Sequence, residues 1–350
     1  MRVLERVQSP ERLKPGTSSG LGHLAVADSF PLVRVLVGRC RHGAGPAGQP
    51  PQTMTNSARA SQVVLVTGAS SGIGRASALR FARDGAQLVL VSRSAQALEA
   101  AAIDCRAEGA TQVLVLPADV NDEAALARVV ATTVERFGRL DVVVHAAAVM
   151  AYGTVEELPK ELFEKVVDTS IYGTANLARV VLPAFRRQRR GSLIIVSSLL
   201  ASITAPTMGA YVTAKWGQLG LIRTLQQETR DMPGIAISAV APGGVDTPIY
   251  YQAGTVVGST GRPPPPVYSP ERVARSIAAR VEHPRRLVQS GAFNPVILAG
   301  FRLFPPVFDA LVGPLLKVFG IAKDSVPATD GNVFEPRAAA ESTHGHWRSV

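Results

Sequence analysis

Cysteine is nearly missing from this chain. Cys40 and Cys105 are the only two in 350 residues, too few for a disulfide framework and without the paired spacing of a zinc site, so the sequence predicts no metal and a reducing compartment. Aromatic residues are scarce as well, and none interleaves with the densest basic cluster, "RRQRR" at 186–190. That cluster therefore reads as a solvated helix end, where cations suit the negative pole of the macrodipole, and not as a nucleic-acid surface. No uninterrupted apolar run reaches the length of a membrane span: "FPLVRVLVG" at 30–38 is short and broken by Arg34. A secretory signal, with its charge, apolar run and cleavage site in order near the start, is not expected either. Acidic residues are the minority. The net charge is +10, and residues 1–53 alone carry seven basic against three acidic side chains, so much of the excess lies outside the expected core.

Hydrophobic residues make up 46% of the chain, which is ample for a buried core. Residues 1–58 have no sustained period and read as a disordered extension, with Met54 as an alternative start close to the first strand. From residue 62 apolar runs alternate with helical stretches. The runs "QVVLVT" (62–67), "QLVLVS" (87–92), "QVLVLP" (112–117), "LDVVVHA" (140–146), "SLIIVSS" (192–198) and "IAISAVAP" (235–242) are continuous and not alternating, as strands buried on both faces are. Asn121 suits an N-cap, and Gly85 and Gly138 suit helix stops. The alternation predicts a doubly wound α/β domain over 59–290, a parallel sheet between two helical layers, with ligands at the carboxyl ends of the strands.

At the first such end stands "TGASSGIG" (67–74), which opens a helix. Its glycines permit a tight turn and let a pyrophosphate lie against the helix N-terminus, which makes the stretch a dinucleotide site of the Rossmann fold. Further along come "ADV" (118–120), "SS" (197–198), "YVTAK" (211–215) and "PGGVDTP" (242–248). In this order, over residues 62 to about 290, the motifs resemble the short-chain dehydrogenase/reductase family in its single-domain branch.

The resemblance implies an enzyme and its parts. Carbonyl reduction needs a proton as well as the cofactor's hydride, and a free tyrosine near pKa 10 releases its proton poorly at neutral pH. Tyr211 is the expected general acid/base, Lys215 the ammonium that lowers its pKa, and Ser198 the hydroxyl that orients the carbonyl. Ser198 is preferred to Ser197 because it precedes Tyr211 by the family's usual interval. The family's relay asparagine is replaced by Ser170, which is kept as a candidate because serine can hydrogen-bond a water. Its Asn-Asn-Ala-Gly stretch is replaced by "HAAA" (145–148). His145 is expected to be a packed, backbone-bonded residue and not a catalyst. The implied cofactor site comprises Gly68, Ser70, Ser71, Gly72, Ile73, Gly74, Arg93, Asp119, Val120, Ala146, Ala147, Pro242, Gly243, Val245 and Thr247, together with Tyr211 and Lys215.

After the second strand the position that is acidic in NAD enzymes holds Ser92, followed by Arg93. A guanidinium grips a 2′-phosphate, so NADP is expected over NAD. Ser269-Pro270-Glu271 should start a helix after a proline run. The apolar segment 291–322 is interrupted by Arg302, Pro305, Pro306, Asp309 and Pro314, so two amphipathic helices are expected. They would cap the pocket, form a subunit interface or rest on a membrane surface through 293–320. The polar tail 323–350 reads as disordered.

The leading expectation is a cytoplasmic or membrane-associated NADP-dependent oxidoreductase acting on a hydrophobic alcohol, ketone or aldehyde. By family analogy it is a homo-oligomer, and it has no nucleic-acid partner. The alternatives are a catalytically impaired nucleotide sensor or scaffold and, less favoured, a sugar-nucleotide epimerase.

Overall fold

A computed structural model describes residues 62–337 and 340–347. The N-terminal extension, Met54 and Cys40 lie outside the described residues. Seven parallel strands form one sheet: β1 (Val63–Thr67), β2 (Gln87–Val91), β3 (Gln112–Val115), β4 (Val142–His145), β6 (Gly191–Val196), β7 (Ile235–Pro242) and β9 (Leu287–Ser290). Their spatial order is β3-β2-β1-β4-β6-β7-β9, so the direction of winding reverses between β1 and β4. Such a reversal opens a crevice above the strand ends. Two short strands, β5 (Ala151–Tyr152) and β8 (Gly254–Thr255), pair apart from the main sheet.

Register explains the apolar runs. Side chains alternate faces along a strand, and every residue of β1 is buried. Val63 and Leu65 enter one core layer against α3 (Glu123–Phe137), α4 (Lys160–Gln188) and α5 (Gly209–Glu228). Val64 and Val66 enter the other, against α1 (Gly72–Ala82), α2 (Ala95–Ala107) and α6 (Pro270–Glu282). At roughly 1.5–3 kcal/mol for each fully buried aliphatic side chain, these two layers dominate the fold's stabilisation. Cys105 belongs to the second layer, where burial pushes its thiol up to about 12 and leaves it unreactive near neutral pH.

Local signals were read with small displacements. The cap of α3 is Asp122, whose carboxylate accepts the Ala125 amide at 2.9 Å, one residue beyond the expected Asn121. Gly138 ends that helix in the left-handed region, φ 72°. Ser269 caps α6 with Pro270 in its first turn. Arg186 and Arg187 lie in the last turn of α4, as the reading of "RRQRR" requires. Strand β9 was not anticipated, because an edge strand buried on one side loses the continuous apolar signature.

The C-terminal part departs furthest from expectation. Helices α7 (Asn294–Leu303) and α8 (Pro305–Phe319) form as expected, and no helix of the described residues is long and apolar enough to cross a membrane. The described residues of the tail, 323–337 and 340–347, expected to be disordered, instead lie along the domain. Thr329 and Thr255 exchange backbone hydrogen bonds at 2.7 and 2.9 Å, and Val333 is completely buried in an apolar cluster with Tyr152 and Leu162. Backbone carbonyls supply most of its attachments, which composition does not report.

Candidate active site

The glycine loop is shaped by close approach. Gly68 adopts φ 66°, and a Cβ there would sit 2.8 Å from the Ala147 nitrogen. A Cβ on Gly74 would meet the Gly68 carbonyl oxygen at 2.0 Å. Both positions exclude a side chain. Ser71, the residue before α1, makes no side-chain cap, and the first turn contains no acidic residue. The helix's own first turn therefore offers nothing that competes for its positive end, which suits a phosphate, although the Gly72 amide donates to the Ser342 carbonyl at 2.8 Å. Gly68, Ser70, Ser71, Gly72, Ile73 and Gly74 all border one cavity of about 830 Å³.

The other strand ends complete that cavity. Arg93 follows β2, Asp119 and Val120 follow β3, Ala146 and Ala147 follow β4, and Pro242, Gly243, Val245 and Thr247 come from the end of β7 and its loop. Asp119 is oriented by the Asn121 amide at 2.9 Å and by Lys165 at 3.3 Å. Arg93 has backbone partners: its guanidinium donates to the carbonyls of Asn332, Val333 and Phe334 at 2.5, 3.0 and 2.8 Å. His145 is buried with Nδ1 2.8 Å from the Thr67 hydroxyl, a side-chain partner where a backbone one was expected. Burial and the nearby Lys215 ammonium push it down to about 3, so it is neutral.

Ser198, Tyr211 and Lys215 meet on the same wall. Ser198 follows β6 and accepts the Leu200 amide at 3.1 Å. Tyr211 and Lys215 stand one turn apart on α5, with the ammonium 5.6 Å from the phenol ring centre. The phenol hydrogen-bonds Ser198. Burial pushes Tyr211 up to about 12, with the Ser198 bond pulling the other way, and burial pushes Lys215 down to about 8. Desolvation, which penalises either charge in an apolar setting, dominates the Tyr211 phenol, and the only lowering influence on it among the described residues is the Ser198 hydroxyl, in place of the acidification expected from Lys215.

Lys215 Nζ donates to the Val196 carbonyl at 3.3 Å and to Gln218 Oε1 at 3.0 Å. Gln218 is wholly buried and donates in turn to the Thr174 hydroxyl at 2.9 Å and the Ser170 carbonyl at 3.2 Å. Ser170 itself does not border the cavity. Its hydroxyl is buried without a hydrogen-bond partner, and only its carbonyl joins this network. Gln218 was overlooked, although an amide three residues after the lysine on a buried helix face was a readable signal.

The far half of the cavity is apolar, lined by Ile203, Met208, Ile249, Phe304, Phe308 and Leu311. Trp216 of α5 anchors this cover. Its ring meets Phe301 edge-on at 6.4 Å, and Phe301 meets Phe308 at 5.1 Å.

Comparison with known proteins agrees with this geometry. Residues 62–255, more than half of the chain, match the short chain dehydrogenase family. Sepiapterin reductase of Chlorobaculum tepidum is 35% identical over 195 residues, covering 54% of this chain and 79% of that protein. The 11-beta-hydroxysteroid dehydrogenase A of Sesamum indicum is 32% identical over 257 residues, 71% of this chain and 73% of its own. Among solved structures, levodione reductase superposes with a TM-score of 0.59 at 28% identity, over 67% of this chain and 98% of its own. An alcohol dehydrogenase from Thermococcus sibiricus, complexed with 5-hydroxy-NADP, gives 0.57 at 29% identity, over 65% and 94%. With a seven-stranded parallel sheet and a glycine loop at its switch point, this chain belongs to the short-chain dehydrogenase family and is an oxidoreductase of the NAD(P)-dependent kind.

Proposed function

We propose that the protein interconverts a hydrophobic carbonyl compound and its alcohol, with Tyr211 as the proton donor and acceptor. One observation carries this reading: the Ser198 and Tyr211 hydroxyls and the Lys215 ammonium share a single cavity with the glycine loop. Bound in the polar half, a nicotinamide dinucleotide supplies or accepts the hydride. Gly68 to Gly74, Asp119, Ala146, Ala147 and the loop 242–247 would hold it.

The remaining steps belong to side chains. Ser198 donates toward the substrate oxygen and holds it beside the phenol. Tyr211, protonated at neutral pH because burial pushes it up to about 12, gives its proton to that oxygen in reduction. The phenolate left behind faces the Lys215 ammonium. With the ammonium 5.6 Å from the ring centre, the lysine acts by attraction on the charged form that follows proton transfer.

The apolar lining from Ile203 to Leu311 supports a hydrophobic substrate, in keeping with a relative named for a hydroxysteroid. NADP was expected from Arg93, and the choice between NAD and NADP turns on that residue and its neighbours. For the outward faces of α7 and α8 we propose a role as a subunit interface.

Oxidation of NADH or NADPH by a panel of long-chain and cyclic ketones and aldehydes tests the reading. Tyr211→Phe is expected to lower kcat by about a thousandfold while the cofactor Kd stays within about threefold. Substantial turnover by that variant removes Tyr211 from the mechanism, and an inactive wild type that still binds nucleotide favours a sensor or scaffold.

A further inference from the structure

The last described residues form a strap across the polar half of the cavity. Arg93 ties it down through the carbonyls of residues 332–334. Gln252 donates to the Ala340 carbonyl at 3.0 Å, and the Gly72 amide, at the start of α1, donates to the Ser342 carbonyl at 2.8 Å. Beyond these, Asp246 accepts the amides of Gly345 and Trp347 at 3.1 and 2.9 Å, and the Trp347 indole donates to the Thr247 carbonyl at 3.0 Å. The Trp347 ring rests against Tyr250 and Tyr251 with centroids 6.1 and 5.8 Å away. The strap is thus fixed on both sides of Glu341.

Glu341 borders the cavity beside the glycine loop. Its carboxylate hydrogen-bonds the Ser70 side chain, and Arg93 and Arg75 act on it electrostatically. Its Oε2 atom is buried with no hydrogen-bond partner. A desolvated carboxylate oxygen without a donor is costly, and a strap anchored on both sides keeps it there. What it lacks is a donor, which a hydroxyl of a bound ligand can supply. Dinucleotide folds place an acid near the end of the second strand to accept the ribose 2′-hydroxyl, and here that position holds Ser92.

We propose that the C-terminal strap is part of the cofactor site and that Glu341 supplies, from far along the chain, the carboxylate that accepts the adenosine ribose hydroxyl, so that the protein prefers NAD to NADP. The inference rests on the reading that the cavity takes a nicotinamide dinucleotide. Arg93, assigned from sequence to a 2′-phosphate, directs three of its five N–H donors to the strap. A 2′-phosphate beside Glu341 would bring two anions together, whereas a ribose hydroxyl satisfies Oε2.

Titration of the full-length protein with NADH and NADPH tests this by calorimetry, independently of turnover. The wild type should bind NADH at least about tenfold more tightly than NADPH. Glu341→Gln keeps the shape and removes the charge, and should weaken NADH binding about tenfold while narrowing the preference to within about threefold. A chain ending at residue 331 should lose affinity for NADH, and its melting curve without nucleotide reports whether it folds. Tighter binding of NADPH by the wild type, a preference indifferent to Glu341→Gln, or tighter nucleotide binding by a folded truncated chain overturns the inference, the last making the strap an inhibitory plug. If neither nucleotide binds any form, the dinucleotide reading itself fails.

Discussion

Lys215 puts a positive charge where water does not reach, and the side chains that receive it decide how it titrates. Burial pushes it down to about 8, and its acceptors are the Val196 carbonyl and Gln218 Oε1. An amide oxygen accepts without charge, so Gln218 orients the ammonium and offsets only part of its desolvation. It is a positioning residue, because it reaches the reaction only through Lys215. If the ammonium is needed to receive the phenolate, the rate of reduction falls as pH rises through the lysine pKa. Gln218→Leu removes an acceptor, lowers that pKa and should move the fall to lower pH by about one unit. Gln218→Glu adds a counter-charge and should move it upward by a similar amount. Opposite displacements in the pH profile of kcat, with circular dichroism unchanged, identify positioning. A common loss at every pH means the residue only packs.

At the level of elements, legibility followed burial. Strands β1, β2, β4, β6 and β7 were readable because both faces are covered, so their residues are mostly apolar with few polar interruptions such as Ser238, and the cap Ser269 and the stop Gly138 were readable because side-chain and φ requirements are local. The glycine loop was readable because its backbone geometry fixes residue type and spacing, whereas Ser198, Tyr211 and Lys215 were singled out by the family resemblance, and all of them border one cavity. Strand β9, Gln218 and the strap could not, since their partners are distant and, for the strap, mainly backbone carbonyls. Helix α8 is a different case. It borders the cavity through Phe308, Leu311 and Val312, yet none of its residues is buried. A wall with so little cover should open locally at low free-energy cost. Hydrogen exchange monitored by mass spectrometry is expected to show residues 305–319 exchanging at least about a hundredfold faster than α5, and slowing when a hydrophobic ketone and cofactor are bound. Protection equal to that of α5 in the free protein would mean that this wall is fixed.

For the whole molecule the open question is what covers the outer side of the apolar cap. Val296, Leu303 and Val318 are 59–69% exposed on α7 and α8, and none of them borders the cavity; Arg302 and Lys317 lie beside them. Scattered exposed aliphatics are ordinary, but a continuous group on two successive helices marks a contact surface. Short helices interrupted by proline and charge do not span a bilayer, and a second copy of the chain satisfies the same apolar demand by symmetric pairing. Sedimentation velocity is therefore expected to show a dimer or larger species at micromolar concentration. Replacing Leu303 and Val318 together by glutamate should give a monomer that still binds NADH within about threefold, because both side chains are largely exposed, neither borders the cavity, and the glycine loop lies on another element. A wild-type monomer that co-sediments with lipid vesicles, and is released by the same two changes, would assign the face to a membrane surface instead.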